Sequence, residues 1–164
     1  MTQRLHHMAF RCRDTEETRA FYEEVIGLPL QAALAIETTA TGRPVRAMHS
    51  FFALKDGSAV AFFEVPDAAF EFKAQHDFDL HLALEADEAD VERARAAAEA
   101  RGIEVRGPSD HGFIRSTYFR DPNGYVVELA VKTEAHAAFE VEAPKSARAQ
   151  LDAWQARKRE PLPA

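Results

Sequence analysis

The chain has 164 residues, 46% apolar and 29% charged, with a formal charge of −7 at pH 7, as expected for a single globular domain with a tail. The acidic balance argues against a nucleic-acid partner, and a single cysteine excludes an intramolecular disulfide and a cysteine-rich zinc site. No run approaches the about 18 apolar residues of a membrane span, and the polar start lacks a signal peptide's apolar region. We therefore expect no membrane partner and, by default, a cytoplasmic location.

The first half of the chain begins with a strand pattern. Residues 5–12 alternate, with His7 on the face opposite the apolar side chains. A helix follows, capped at Asp14 or Thr15 and ended by Gly27. Three further strands are predicted, at about 30–39, 46–54 and 58–65.

The same succession returns after a linker at 66–78. His81 lies on an alternating strand, an alanine-rich helix is predicted at 88–101 and Gly102 ends it. Three short strands are predicted at about 103–106, 113–120 and 124–131. The repeat indicates two copies of one supersecondary unit with a common core, at about 4–66 and 78–132. This domain spans 1–132, and a tail with a helix at 145–159 completes the chain at 133–164.

Each copy carries a histidine on its first strand and a carboxylate on its last. These are His7 and Glu64 in the first copy, and His81 and Glu128 in the second. The apolar face of each sheet must cover its helix, so His7, His81 and Glu128 are predicted on the opposite, concave face. Two imidazoles and a carboxylate are the minimum set for a metal site.

These motifs resemble the vicinal oxygen chelate superfamily, which includes glyoxalase I, fosfomycin-resistance enzymes, bleomycin-binding proteins and type I extradiol dioxygenases. The resemblance covers about residues 4–131 and rests on four segments in order, at 5–14, 21–28, 81 and 118–128. It implies an α+β fold in which paired βαβββ modules form a curved mixed sheet around a metal. It also implies His7, His81 and Glu128 as ligands of a divalent ion, and a small-molecule substrate.

Glu64 distinguishes two subgroups of this family. Glyoxalase I takes a fourth ligand from the first module, so Glu64 would complete a site for Ni(II) or Zn(II). Extradiol enzymes take no ligand there. The sequence leaves both readings open.

His111 and Tyr118 resemble the histidine and tyrosine that precede the last ligand of extradiol dioxygenases. A tyrosine hydroxyl can hold a catechol oxygen and a histidine can exchange protons. His49 is a further candidate for lining the cavity. The favoured prediction is an Fe(II)-dependent extradiol-type dioxygenase acting on a catechol-like aromatic, with Tyr118 and His111 as catalytic residues.

Two alternatives remain open. One is a metal-dependent lyase or isomerase of glyoxalase or epimerase type, and the other is a small-molecule binding protein of bleomycin-resistance type. The two modules either close on each other within one chain or exchange between the chains of a homodimer, and the sequence is compatible with both arrangements.

Overall fold

The computed structural model describes residues 3–74 and 76–160. It contains strand, helix and three strands, repeated once and followed by a C-terminal helix. The strands are β1 His7–Cys12, β2 Leu30–Thr38, β3 Pro44–Ala53, β4 Ala59–Glu64, β5 His81–Glu85, β6 Val105–Asp110, β7 Ile114–Arg120 and β8 Val126–Lys132. The helices are α1 Thr15–Arg19, which continues as a π-helical segment at Ala20–Ile26, α2 Glu88–Glu99 and α3 His136–Arg157. The expected α+β fold of paired βαβββ modules is confirmed.

Each module forms its own four-stranded mixed sheet. The strand order is β1-β4-β3-β2 in the first module and β5-β8-β7-β6 in the second. The contacts between β1 and β4 and between β5 and β8 are parallel, and the other pairs are antiparallel. Consequently β1 and β5, the two strands that begin with a histidine, are edge strands of their sheets within the described chain.

The first helix begins where the sequence places its cap. Asp14 has an extended backbone, and its carboxylate accepts the Glu17 N–H at 2.8 Å. Gly27 ends the π-helical segment with a φ of 91°, a left-handed conformation that a residue without a Cβ adopts at low cost.

The two modules pack back to back around one hydrophobic core. The apolar faces of both sheets contribute to this core, and the π-helical segment packs against α2 between them. Among its most buried members are Phe52, Phe62, Phe119 and Val127. Because both apolar faces point inward, both concave faces point outward, away from the shared core.

A buried polar seam joins the modules. Asn123, in the turn before β8, accepts the backbone N–H of Arg13 at 2.8 Å through its Oδ1 atom. Its Nδ2 atom donates to the hydroxyl of Thr18 at 3.2 Å. The turn of the second module is thus bonded to the start of the first module's helix.

The tail helix α3 starts at His136, earlier than the predicted position 145. Its first turns are anchored because Phe139 stacks on Phe113, with ring centroids 3.8 Å apart and planes 6° from parallel. Against the rest of the described chain, no residue of α3 is buried, and Leu151 and Trp154 are exposed. None of the described helices combines the length and apolarity needed to cross a membrane.

Candidate metal centre

His81 and Glu128 form one half of the candidate site, on the concave face of the second module. The Nε2 atom of His81 lies 3.2 Å from Oε2 of Glu128. Glu128 is only 5% exposed, and its Oε1 atom accepts a hydrogen bond from the Ser116 hydroxyl at 2.5 Å. The carboxylate is therefore fixed by one oxygen and faces His81 with the other.

The main chain selects the tautomer of His81. Its Nδ1 atom lies 2.7 Å from the carbonyl oxygen of Asp77. Because a carbonyl oxygen can only accept, Nδ1 carries a proton, which leaves Nε2 as the nitrogen that can bind a metal. This is the tautomer that binds a metal through the nitrogen facing Glu128, oriented by a carbonyl partner of the usual kind.

His7 forms the other half of the site, on the concave face of the first module. It is exposed at the start of edge strand β1, with its ring centroid 6.1 Å from that of His49 and 5.5 Å from that of Phe51. Within residues 3–74 and 76–160, no three His, Cys, Asp or Glu side chains lie close enough to hold a metal. One chain therefore does not bring His7 to His81 and Glu128.

The strand registers show which residue of the first module corresponds to Glu128. His81 pairs with Val126 across β5 and β8, so Glu128 lies two residues beyond the partner of the histidine. His7 pairs with Ala59 across β1 and β4. The residue two positions beyond Ala59 is Ala61, so the expected equivalence of Glu64 with Glu128 is wrong.

The structure does not bring Glu64 to the other predicted ligands. Glu64 pairs with Cys12 at the far end of β1 and shares the helix-facing side of β4 with the buried Phe62. Its Oε2 atom accepts the backbone N–H of Thr15 at 2.7 Å and also the Thr15 hydroxyl. Glu64 thus accepts hydrogen bonds from the backbone N–H and the hydroxyl of the first residue of α1, so its carboxylate caps the N-terminus of that helix.

Tyr118 and His111 do lie together beside Glu128. Tyr118 is paired with Glu128 in the ladder between β7 and β8. Its hydroxyl is 3.1 Å from Nε2 of His111. On its other side Tyr118 is paired with Arg106, whose guanidinium carbon is 5.4 Å from the ring centroid.

His49 is a buried member of the first module's concave face. It is 7% exposed and stacks on Phe63, with centroids 3.6 Å apart and planes 10° from parallel. Its Nδ1 atom is 3.0 Å from the carbonyl oxygen of Phe62, so Nδ1 carries a proton. The Nε2 atom has no hydrogen-bond partner among residues 3–74 and 76–160 and is the nitrogen left to accept one. The sequence offered His49 only as a cavity-lining residue, because neither the backbone partner nor the stacking can be read from strand alternation.

Arg11 is a cation without a carboxylate partner among the described residues. It follows His7 and Ala9 on the same face of β1, and its Nη2 atom donates to the carbonyl of Ala68 at 3.2 Å. Its Nε atom is buried and has no hydrogen-bond partner within the described chain. Its Nη2 atom also lies 3.5 Å from the carbonyl oxygen of Val65, so the guanidinium has backbone partners but no counter-charge, and this end of the concave face suits an anion.

The three candidate ligands suit a divalent metal. An oxygen of the Glu128 carboxylate and the Nε2 atom of His81 already converge in the second module. A second exposed imidazole occupies the corresponding edge strand of the first. Two histidines and one carboxylate are a donor set used for Fe(II) with open positions, and also for Zn(II) and other divalent ions. The fold and these residues define a candidate metal centre built from repeated modules.

The sequence of this chain belongs to the Glyoxalase/Bleomycin resistance protein/Dioxygenase superfamily, whose profile matches residues 4–129. Members of this superfamily include metal-dependent enzymes that act on small molecules. Among curated proteins, none matches the chain.

Several solved structures share the fold. A glyoxylase/bleomycin resistance protein/dioxygenase domain from Frankia sp. EAN1pec is 14% identical, with a TM-score of 0.65, covering 81% of this chain and 100% of that one. The fosfomycin resistance protein FosX from Mesorhizobium loti is 26% identical, with a TM-score of 0.58 and coverages of 84% and 98%. FosX from Listeria monocytogenes, crystallised with Mn(II) and dihydroxypropylphosphonic acid, is 20% identical, with a TM-score of 0.59 and coverages of 84% and 99%.

Proposed function

We propose that the chain is an Fe(II)-dependent dioxygenase of extradiol type that acts on a catechol-like aromatic. The observation that carries this proposal is the contact between Tyr118 and His111 beside Glu128, with 3.1 Å between the hydroxyl and Nε2. A tyrosine and a histidine next to a two-histidine, one-carboxylate centre are the groups that a catechol substrate needs for binding and proton transfer.

We further propose that two copies of the chain complete the metal centre, with His7 from one copy and His81 and Glu128 from the other. Strands β1 and β5 each have an unpaired edge within the described chain, and an unpaired edge favours pairing with another strand. Placing β1 of one copy beside β5 of the other brings the two concave faces together. Twofold symmetry then produces two equivalent sites in one homodimer.

Each side chain has a distinct part in this reaction. His7, His81 and Glu128 would hold the Fe(II), which would supply the activation of O₂. The Tyr118 hydroxyl orients one catechol oxygen, and His111 exchanges a proton with that hydroxyl. His49, with Nε2 free, accepts the proton of the second catechol hydroxyl. The apolar rings of Phe51 and Phe63 line the same face and exclude water from the aromatic ring of the substrate.

The proposal is tested on protein purified without oxygen and assayed with catechols. We expect about one iron per chain and a yellow ring-cleavage product that retains both atoms of ¹⁸O₂. The His7→Ala variant should lose iron, and Glu64→Ala should retain it. Wild-type protein that binds no iron, or binds iron without consuming O₂ in the presence of catechols, would overturn the dioxygenase assignment.

A metal-dependent enzyme acting on an anionic small molecule without O₂ is the second candidate, as a lyase, isomerase or hydrolase. Arg11, whose guanidinium has no carboxylate partner among the described residues, favours it, as does the 26% identity with FosX from Mesorhizobium loti. Consumption of fosfomycin in the presence of Mn(II), with no O₂ uptake on catechols, would support this candidate. Ligand binding that survives complete removal of metal would instead indicate a binding protein.

A further inference from the structure

Asp77 lies in the linker between the modules, four residues before His81, and makes contacts with both its main chain and its side chain. Its carbonyl oxygen accepts the Nδ1–H of His81 at 2.7 Å. Its carboxylate contacts Arg106, with Oδ2 2.5 Å from Nη2, and lies near Arg120, with Oδ1 3.9 Å from Nη2. The side chain is 22% exposed, so this ion pair is better shielded from solvent than most surface pairs.

Arg106 connects this carboxylate to the other side of the candidate site. Tyr118 is its direct partner in the ladder between β6 and β7, and the guanidinium lies over the tyrosine ring. Glu128 is the next residue in the same row across the sheet. A cation held over the face of a tyrosine ring is attracted to it, so Arg106 restricts where the ring and its hydroxyl can be.

We propose that Asp77 is a positioning residue that couples the orientation of His81 to that of Tyr118. The proposal rests on the metal centre proposed above. The carboxylate fixes the linker through Arg106, and the fixed linker presents the carbonyl that sets the His81 tautomer. Without the carboxylate, the linker loses the ion pair that holds it to the sheet, while Arg106 and Arg120 retain Glu104, at 3.5 and 3.9 Å, as a shared partner.

The test compares Asp77→Asn with wild type and with Asp79→Asn. The Asp77→Asn change keeps the backbone carbonyl and the side-chain shape but removes the charge, whereas Asp79 is exposed in the same turn and serves as the matched control. In metal-free protein, ¹⁵N NMR reads the tautomer of His81. We expect the fraction of His81 rings that carry a proton on Nδ1 to fall in Asp77→Asn, and Zn²⁺ binding to weaken by about 10-fold, within the range found for residues that orient a ligand.

Arg106→Gln removes the same ion pair from its other side and tests the proposal even if Asp77→Asn does not fold. The double variant should be no weaker in Zn²⁺ binding than either single variant, because all three lose one shared interaction. A His81 tautomer and a Zn²⁺ affinity unchanged from wild type in Arg106→Gln or Asp77→Asn would overturn the coupling. Failure of the proposed metal centre gives a different result. In that case His7→Ala would bind Zn²⁺ as well as wild type does, while the NMR measurement of His81 would still test the role of Asp77.

Discussion

Tyr22 of the first module donates a hydrogen bond to Asp121 of the second, with 3.2 Å between the hydroxyl and Oδ2, where both residues are buried. Asp121 also accepts the backbone N–H groups of Asn123 and Tyr125. Burial raises the pKa of Asp121 above its ordinary value of 3.8, although these hydrogen bonds oppose the shift. This seam fixes the back-to-back packing that turns both concave faces, with the candidate metal ligands, outward.

The raised pKa of Asp121 predicts how stability depends on pH. A carboxyl group with a higher pKa in the folded state than in the unfolded state binds more protons in the folded state. Its stabilising contribution to the free energy of unfolding is therefore fully present below pH 3.8, and it is lost as the pH rises through the folded-state pKa. Asp121→Asn should flatten the pH dependence of the unfolding free energy in this window, measured by urea denaturation at several pH values. For comparison, Tyr22→Phe should cost about 1 kcal/mol and keep a pH dependence of the same sign, because it removes a hydrogen bond that lowers the pKa of Asp121 and leaves the burial that raises it. An unchanged pH dependence in Asp121→Asn would contradict the assignment.

Glu64 and Glu128 should respond differently to the same substitution. Glu128→Gln should abolish metal binding, because a neutral amide replaces the only carboxylate of the proposed ligand set. Glu64→Gln should leave metal content unchanged and lower stability by about 1 kcal/mol, since it weakens the cap at Thr15. Elemental analysis and thermal unfolding measure the two effects. Metal loss in Glu64→Gln would show that Glu64 reaches the centre after all.

His49 should be needed for turnover and not for metal binding. Asparagine keeps a group that can hydrogen-bond the Phe62 carbonyl, but it cannot accept a catechol proton. We expect kcat to fall about 100-fold or more in His49→Asn, with iron content unchanged. Steady-state O₂ uptake with catechols measures the first quantity, and His136→Asn, at the start of the tail helix and outside the candidate site, provides the control. A kcat close to that of wild type would exclude a proton-transfer role for His49.

Arg11 should select substrates that carry an anionic group. Its Nε atom is a buried donor without a partner among the described residues, and a charge-assisted hydrogen bond contributes about 1.5–3 kcal/mol. Arg11→Gln should therefore raise KM about 10-fold for carboxylated catechols and leave KM for unsubstituted catechol unchanged. Equal effects on both substrates would indicate that Arg11 only supports the loop at Ala68.

Strand alternation in the sequence predicted the faces of the key side chains. The faces of His7, His81 and Glu128 follow from the apolar residues on either side of each, because a helix must cover the apolar face of its sheet. The error over Glu64 arose because the two halves were aligned by the order of their residues. The true correspondence depends on how β4 pairs with β1, and the sequence alone does not specify that register.

The features that the sequence did not predict depend on contacts between distant parts of the chain. The sequence does not predict how the two modules pack on each other. Modules whose concave faces point toward each other and modules whose concave faces point outward have the same alternation of apolar residues along each strand. Asp77 was not singled out, because it lies in a linker without periodicity and contacts Arg106, 29 residues away. The tautomer of His49 likewise depends on a carbonyl of the neighbouring strand.

The central claim, a metal centre shared between two copies, is tested most directly by complementation. His7→Ala and Glu128→Gln chains are co-expressed with different tags, and the heterodimer is purified and analysed for iron. Each single-variant homodimer should lack metal. The heterodimer should hold about one iron per dimer, because twofold symmetry leaves one site with all three ligands. A heterodimer without metal, alongside wild-type protein with one iron per chain, would show that His7 and Glu128 must come from the same chain.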